Sequence, residues 1–142
     1  MKKKRCIAII PARGGSKRIK NKNIKLFFNR PIISYAIKNA KNSKLFDEII
    51  VSTDDLKIKK IAKKLGASVP FLRPKKISGN FTPLADVMSH AIKIITQQYK
   101  DIYAVCCIFP ATPLLEPKDL RNSFKLFCKK KWDYLFAGLK YS

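Results

Sequence analysis

The chain has 142 residues, 46% of them hydrophobic, with four cysteines and a formal charge of +22. That length supports one hydrophobic core and not two, and no apolar run approaches the length of a membrane span. All but six of the 31 basic residues are lysine, scattered over nearly every segment. This pattern reads as solvated helix faces that adhere to polyanions without selectivity, and it argues against a sequence-reading nucleic-acid binder.

In chain order, the basic amino terminus followed by Cys6–Ile10 resembles a secretory leader, but the apolar run is too short and stops at Pro11 and Arg13. Ile7–Ile10 is an unbroken run of mostly β-prone residues, as expected of a strand covered on both faces in a parallel sheet. Pro31–Ser43 has helical spacing, with proline suited to the first turn. Glu48–Thr53 predicts a second strand, Asp55–Leu65 a helix stopped by Gly66, and Ala67–Phe71 a short strand. An irregular segment runs from Arg73 to Pro83, then a helix over Leu84–Gln98, a strand over Ile102–Phe109, a helix over Pro117–Lys130 and a last strand over Asp133–Ala137. Alternating strands and helices predict an α/β fold of Rossmann-like type, with a mainly parallel sheet and helices on both faces. The cysteines lack metal or redox spacing and read as buried free thiols, with the cytoplasm as the default compartment.

The most informative stretch is the loop after the first strand. Ala12, Arg13, Gly14, Gly15, Ser16, Lys17, Lys22 and Asn23 combine flexible glycines, a hydroxyl and several cations. Open α/β sheets place ligands at the carboxyl ends of their strands. There, two glycines at positive φ would let backbone amides approach an anion, Arg13 would clamp a phosphate with two parallel bonds, and Lys17 and Lys22 would act as point charges. Neither common phosphate-loop signature fits these residues, and a solvated basic loop is the plain alternative.

Four stretches carry a resemblance: Ile9–Lys17, then Lys22–Ile24, then Ile50–Asp55, then Gly66–Ala67 with Val69–Pro74. With the strand and loop ending at Pro113, they resemble the acylneuraminate cytidylyltransferase family. Cys106–Phe109 followed by Pro110–Pro113, together with Ile77–Thr82 and His90–Ala91, is most similar to its pseudaminic acid branch. The resemblance implies a nucleotide-diphospho-sugar transferase fold. It also implies attack of a nine-carbon keto acid's anomeric hydroxyl on the α-phosphate of CTP, giving a CMP-sugar for surface-glycan or flagellin glycosylation.

It further implies that Arg13, Lys17 and Lys22 serve catalysis, and that Ser16 meets the phosphates with them. Asn23, Arg73 and Thr82 would contact the nucleotide and Phe109 the sugar. Magnesium is expected, held by aspartates outside residues 1–142, as is a homodimer; no membrane or specific nucleic-acid partner is implied. On this basis the chain is read as the nucleotide-binding portion of a single domain, truncated and with little turnover alone.

Each role has a structural alternative. Asn23 would cap a turn, Arg73 would pair with Asp54 or Asp55, and Phe109 would be core. His90 would be a packed helix residue rather than a base. Asp54 would shape the site and Asp55 open a helix, rather than the two holding a metal. Gly79, Asn80 and Leu84 depart from the family pattern and put nucleotide affinity in question. A synthetase for another sugar acid and a noncatalytic binding remnant remain open beside the leading reading.

Overall fold

The computed structural model describes residues 5–130 and 132–138. Its centre is β1 (Arg5–Pro11), with Ile7, Ala8, Ile9 and Ile10 almost wholly shielded from solvent. The run lacks polar interruption because both faces of the strand are covered. Parallel to it lie β4 (Glu48–Ser52), with Ile9 opposite Ile50, and β5 (Ile102–Cys107), with Ile7 opposite Val105, in the order β4-β1-β5. The other two strands, β2 (Leu26–Phe27) and β3 (Arg30–Pro31), form a separate hairpin.

Alternation along β1 sorts its side chains between two cores. Ala8, Ile10 and Ala12 pack against α1 (Ile33–Ser43) through Ile33, Ala36 and Ile37, against α2 (Leu56–Lys64) through Ile58 and Ala62, and against α4 (Pro117–Lys129) through Leu120. Ile7 and Ile9, with Ile50, face Ala91 and Ile95 of α3 (Leu84–Gln98). Helices therefore cover both faces, as the sequence predicts. Each fully buried isoleucine contributes about 1.5–3 kcal/mol relative to exposure.

Local chemistry sets several boundaries. The Asp55 carboxylate caps α2 by accepting from the amides of Lys57 and Ile58 at 2.7 and 2.9 Å. Gly66 follows that helix at φ 75°. Glu116 and Asp119 form a capping box at the start of α4.

Four expectations need correction. Pro31 lies in the hairpin rather than in α1, because Phe28 and Asn29 both take positive φ and make a two-residue turn ahead of the helix. Ala67–Phe71 contributes a single bridge, Ser68 to Ile50, because Pro70 has no amide with which to continue a ladder. Asp133–Ala137 is irregular, with Tyr134 and Phe136 almost fully exposed; its apolar side chains find no ladder partner. Of the four cysteines, all free, only Cys6 is buried; Cys106 and Cys107 are half-buried on the outer strand and Cys128 is exposed on α4. Among the described residues no helix is long and apolar enough to cross a membrane.

Candidate functional site

The chain runs from β1 to β4 on one side, then returns to β5 on the other side of β1. This reversal opens a crevice at the carboxyl ends of β1 and β5, the place where such sheets hold ligands. A cavity of about 210 Å³ occupies it, with Pro11 at the end of β1 and Phe109 and Pro110 just after β5.

One wall is the loop after β1. Ala12 is buried and its amide donates to the carbonyl of Ser52 at 2.8 Å. The Gly14 amide donates to Asp54 Oδ1 at 2.9 Å, and the Ser16 amide to the Gly14 carbonyl at 2.9 Å. Asn23, 3% exposed in the short turn Lys22–Ile24, closes the loop by donating from Nδ2 to the Arg13 carbonyl at 2.9 Å.

The loop's glycines do not act as the sequence suggests. Among the described glycines only Gly66 has positive φ. Gly14 is required by proximity: a Cβ there would stand 2.8 Å from Asp55 Cβ. Around Gly15 a Cβ would meet nothing within 4 Å. The Gly14 and Ser16 amides are already engaged within the chain.

The facing wall begins at Arg73, whose amide donates to the Thr53 carbonyl at 2.8 Å. Its guanidinium is buried, and Nη2 lies 3.9 Å from Asp54 Oδ1. Burial lowers the Arg73 pKa, Asp54 counters this, and nearby Arg13 adds to the lowering. Nε and Nη2 of Arg73 and Oδ1 of Asn23 are buried without a hydrogen-bond partner. Two guanidinium-bearing residues, Arg13 and Arg73, thus line one cavity, a pairing suited to a phosphate or another oxyanion. Arg13 also donates from Nη1 to the Gly79 carbonyl at 2.8 Å.

The cavity brings together Arg13, Ser16, Lys22, Asn23, Arg73, Thr82 and Phe109. Ala12, Gly14, Gly15 and Lys17 are not among its lining residues, and Lys17 projects into solvent. Val87 lines it without having been singled out from sequence, and Ile77 and Pro110, which belong to the stretches that carry the branch resemblance, line it without having been given a role; their apolar character reads equally as core. Phe109 is 56% exposed and so is not a core residue. His90 packs edge-on against Phe71, with ring centroids 5.2 Å apart, outside the cavity lining. Burial, then Arg73, then Lys76 lower its pKa.

Asp54 is engaged with Gly14 and Arg73, and Asp55 caps α2. Among the described residues no group of three or more His, Cys, Asp or Glu side chains is placed to hold a metal ion.

A parallel sheet with helices on both faces and a cation-lined crevice at its switch point defines a doubly wound α/β protein, and a family model described as cytidylyltransferase matches residues 7–140. The chain belongs to that family. It is 42% identical over 135 residues to the pseudaminic acid cytidylyltransferase of Campylobacter jejuni serotype O:2, covering 95% of this chain and 58% of that protein. Identity is 35% over 125 residues to the CMP-N,N'-diacetyllegionaminic acid synthase of Legionella pneumophila, covering 86% of this chain and 53% of that protein. The chain thus spans a little over half the length of these relatives.

Among solved structures, a cytidylyltransferase from Leptospira borgpetersenii superposes with a TM-score of 0.71 at 25% identity, covering 91% of this chain and 51% of that one. A CMP:2-keto-3-deoxy-manno-octonic acid synthetase complexed with CTP superposes at 0.72 and 16% identity, covering 89% and 48%, which supports the fold.

Proposed function

We propose that this chain captures CTP in the β1–β5 crevice, for transfer of CMP to a nonulosonic acid with release of pyrophosphate. The observation that carries the reading is the convergence of Arg13 and Arg73 on one cavity, with Arg73 Nε and Nη2 lacking a hydrogen-bond partner, in a chain similar to enzymes named for that chemistry. Arg13, Ser16 and Lys22 would meet the phosphates, and Lys17 would reach them from the rim as a mobile cation. These cations would stabilise the charge that grows on pyrophosphate as it departs. Asn23, whose Oδ1 lacks a partner, and Thr82 would contact the nucleoside.

Phe109 stands exposed at the cavity, where its ring offers an apolar wall and no hydrogen bond. A sugar acid with more apolar substituents fits such a wall better than one that needs a polar partner. With the 42% identity to a pseudaminic acid enzyme, this favours pseudaminic acid over neuraminic acid. Magnesium would supply further neutralisation of phosphate charge; Asp54 and Asp55, both engaged within the chain, would not hold it. The engagement of both aspartates favours a second reading, in which the chain binds CTP without transferring it.

The test is pyrophosphate release from CTP and magnesium, with pseudaminic, legionaminic and N-acetylneuraminic acids compared. Release that depends on sugar acid and is fastest with pseudaminic acid supports the proposal. Saturable CTP binding without release supports the second reading, and neither binding nor release overturns both.

A further inference from the structure

We propose that Asp54 is a positioning residue of the phosphate site, acting on Gly14 and Arg73 through a single carboxylate oxygen. The inference rests on the reading of this cavity as a CTP site. Asp54 Oδ1 accepts the Gly14 amide at 2.9 Å and lies 3.9 Å from Arg73 Nη2.

The second distance is the informative one. At 3.9 Å the carboxylate balances the charge of a guanidinium that is 3% exposed, yet stands too far away to take a hydrogen bond from it. Nε and Nη2 therefore keep no hydrogen-bond partner within the chain, beside a cavity that Arg73 lines. A buried cation without an opposing charge would be strongly disfavoured. A carboxylate in hydrogen-bond contact would instead occupy donors that a phosphate needs.

The segment that carries Asp54 is fixed along its length. The Ser52 carbonyl accepts the Ala12 amide at 2.8 Å, and the Thr53 carbonyl accepts the Arg73 amide at 2.8 Å. Thr53 Oγ1 accepts the Asp55 amide at 3.1 Å, and Asp55 caps α2. Asp54 thus stands between the Gly14 loop and Arg73, on a segment whose preceding residues Ser52 and Thr53 are tied to both. It sets the loop bearing Arg13 and the guanidinium of Arg73 in one frame.

The test combines calorimetric CTP titration with hydrogen exchange at the Gly14 amide, on the unsubstituted chain, Asp54→Asn, Asp54→Glu, Asp54→Ala, Arg73→Ala and the Asp54→Asn/Arg73→Ala double variant. Asp54→Asn keeps an acceptor for Gly14 and loses the charge, so it is expected to weaken CTP binding about tenfold while Gly14 exchange stays slow. Asp54→Glu keeps the charge but reaches further, occupies the Arg73 donors and also weakens binding. In the Arg73→Ala background the Asp54→Asn effect is expected to shrink below about twofold. Asp54→Ala is expected to speed Gly14 exchange, which a carboxylate without a role in the loop would not do.

CTP affinity unchanged in Asp54→Asn, or reduced equally with and without Arg73, would overturn the proposal; so would Gly14 exchange unaffected by Asp54→Ala. If the unsubstituted chain does not bind CTP, the CTP reading fails. The exchange results alone then decide whether Asp54 positions the loop; should Asp54→Ala not fold, Asp54→Ser, whose oxygen stands one bond shorter of the Gly14 amide, is expected to speed Gly14 exchange, and exchange left slow would overturn the proposal.

Discussion

Arg13 donates from Nη1 to the carbonyl of Gly79 at 2.8 Å, joining the loop after β1 to the segment ahead of α3 across the mouth of the cavity. A phosphate entering the cavity competes with that carbonyl for the same guanidinium. Arg13→Ala is expected to weaken CTP binding at least tenfold, the loss typical of one charge-assisted contact. Because the Arg13–Gly79 bond is solvent-exposed, folding stability should fall by only about 0.5–1.5 kcal/mol. Arg13→Lys keeps charge without the fork and should recover only part of the affinity. Calorimetric titration with urea unfolding of the same samples separates the two effects.

The adjacent glycines should behave differently. A methyl at Gly14 would meet Asp55 Cβ at 2.8 Å, whereas one at Gly15 would meet nothing within 4 Å. Asp55 is held by its bonds to two amides of α2 and cannot readily withdraw. Gly14→Ala is therefore expected to cost about 1–3 kcal/mol in urea unfolding. Gly15→Ala should be neutral or stabilising by up to about 1 kcal/mol, through a less flexible unfolded chain. Equal losses at the two positions would contradict the packing described.

Much of the fold is readable from residue order, and the exceptions share a cause. Ile7–Ile10 and the repeat over Leu84–Gln98 announce β1 and α3 because burial on two faces or on one stripe leaves a periodic trace. The hairpin at Leu26–Pro31 is hidden because its turn uses Phe28, at φ 44°, where glycine or asparagine would have signalled it. Asp133–Ala137 has a strand's composition, but a strand also requires a neighbour to pair with. The cations of the site are readable because phosphate chemistry restricts residue type. The dependence of Gly14 on Asp55, and of Arg73 on Asp54, arises from laying β4 beside β1, a distance of some forty residues in sequence for Gly14 and Asp54.

His90 should leave a mark on the pH dependence of stability. Burial and the cations Arg73 and Lys76 lower its pKa from the ordinary 6.5. Between the lowered value and 6.5 the unfolded chain binds more protons, so stability rises with pH across that interval. The contribution is complete above 6.5 and is lost as pH falls through the folded-state pKa. His90→Gln should flatten that part of the profile relative to the unsubstituted chain in urea titrations between pH 5 and 8. Parallel profiles would show that the imidazole is not perturbed in this way.

Thiol reactivity should follow exposure and burial. Burial foremost pushes the Cys106 thiol up to about 11 and also raises Cys6 and Cys107, so each stays protonated near neutral pH. Cys128 is exposed. Brief iodoacetamide treatment at pH 7.5 with peptide mass spectrometry is expected to label Cys128 first, with Cys6 the slowest. Labelling of Cys6 at the rate of Cys128 would contradict the burial of β1.

The most direct measurement is calorimetric titration of CTP into the unsubstituted chain and into Arg73→Ala at moderate salt. Capture in the β1–β5 crevice requires saturable binding at one site, weakened at least tenfold without the buried guanidinium. No saturable binding, or binding that Arg73→Ala leaves unchanged, would contradict it.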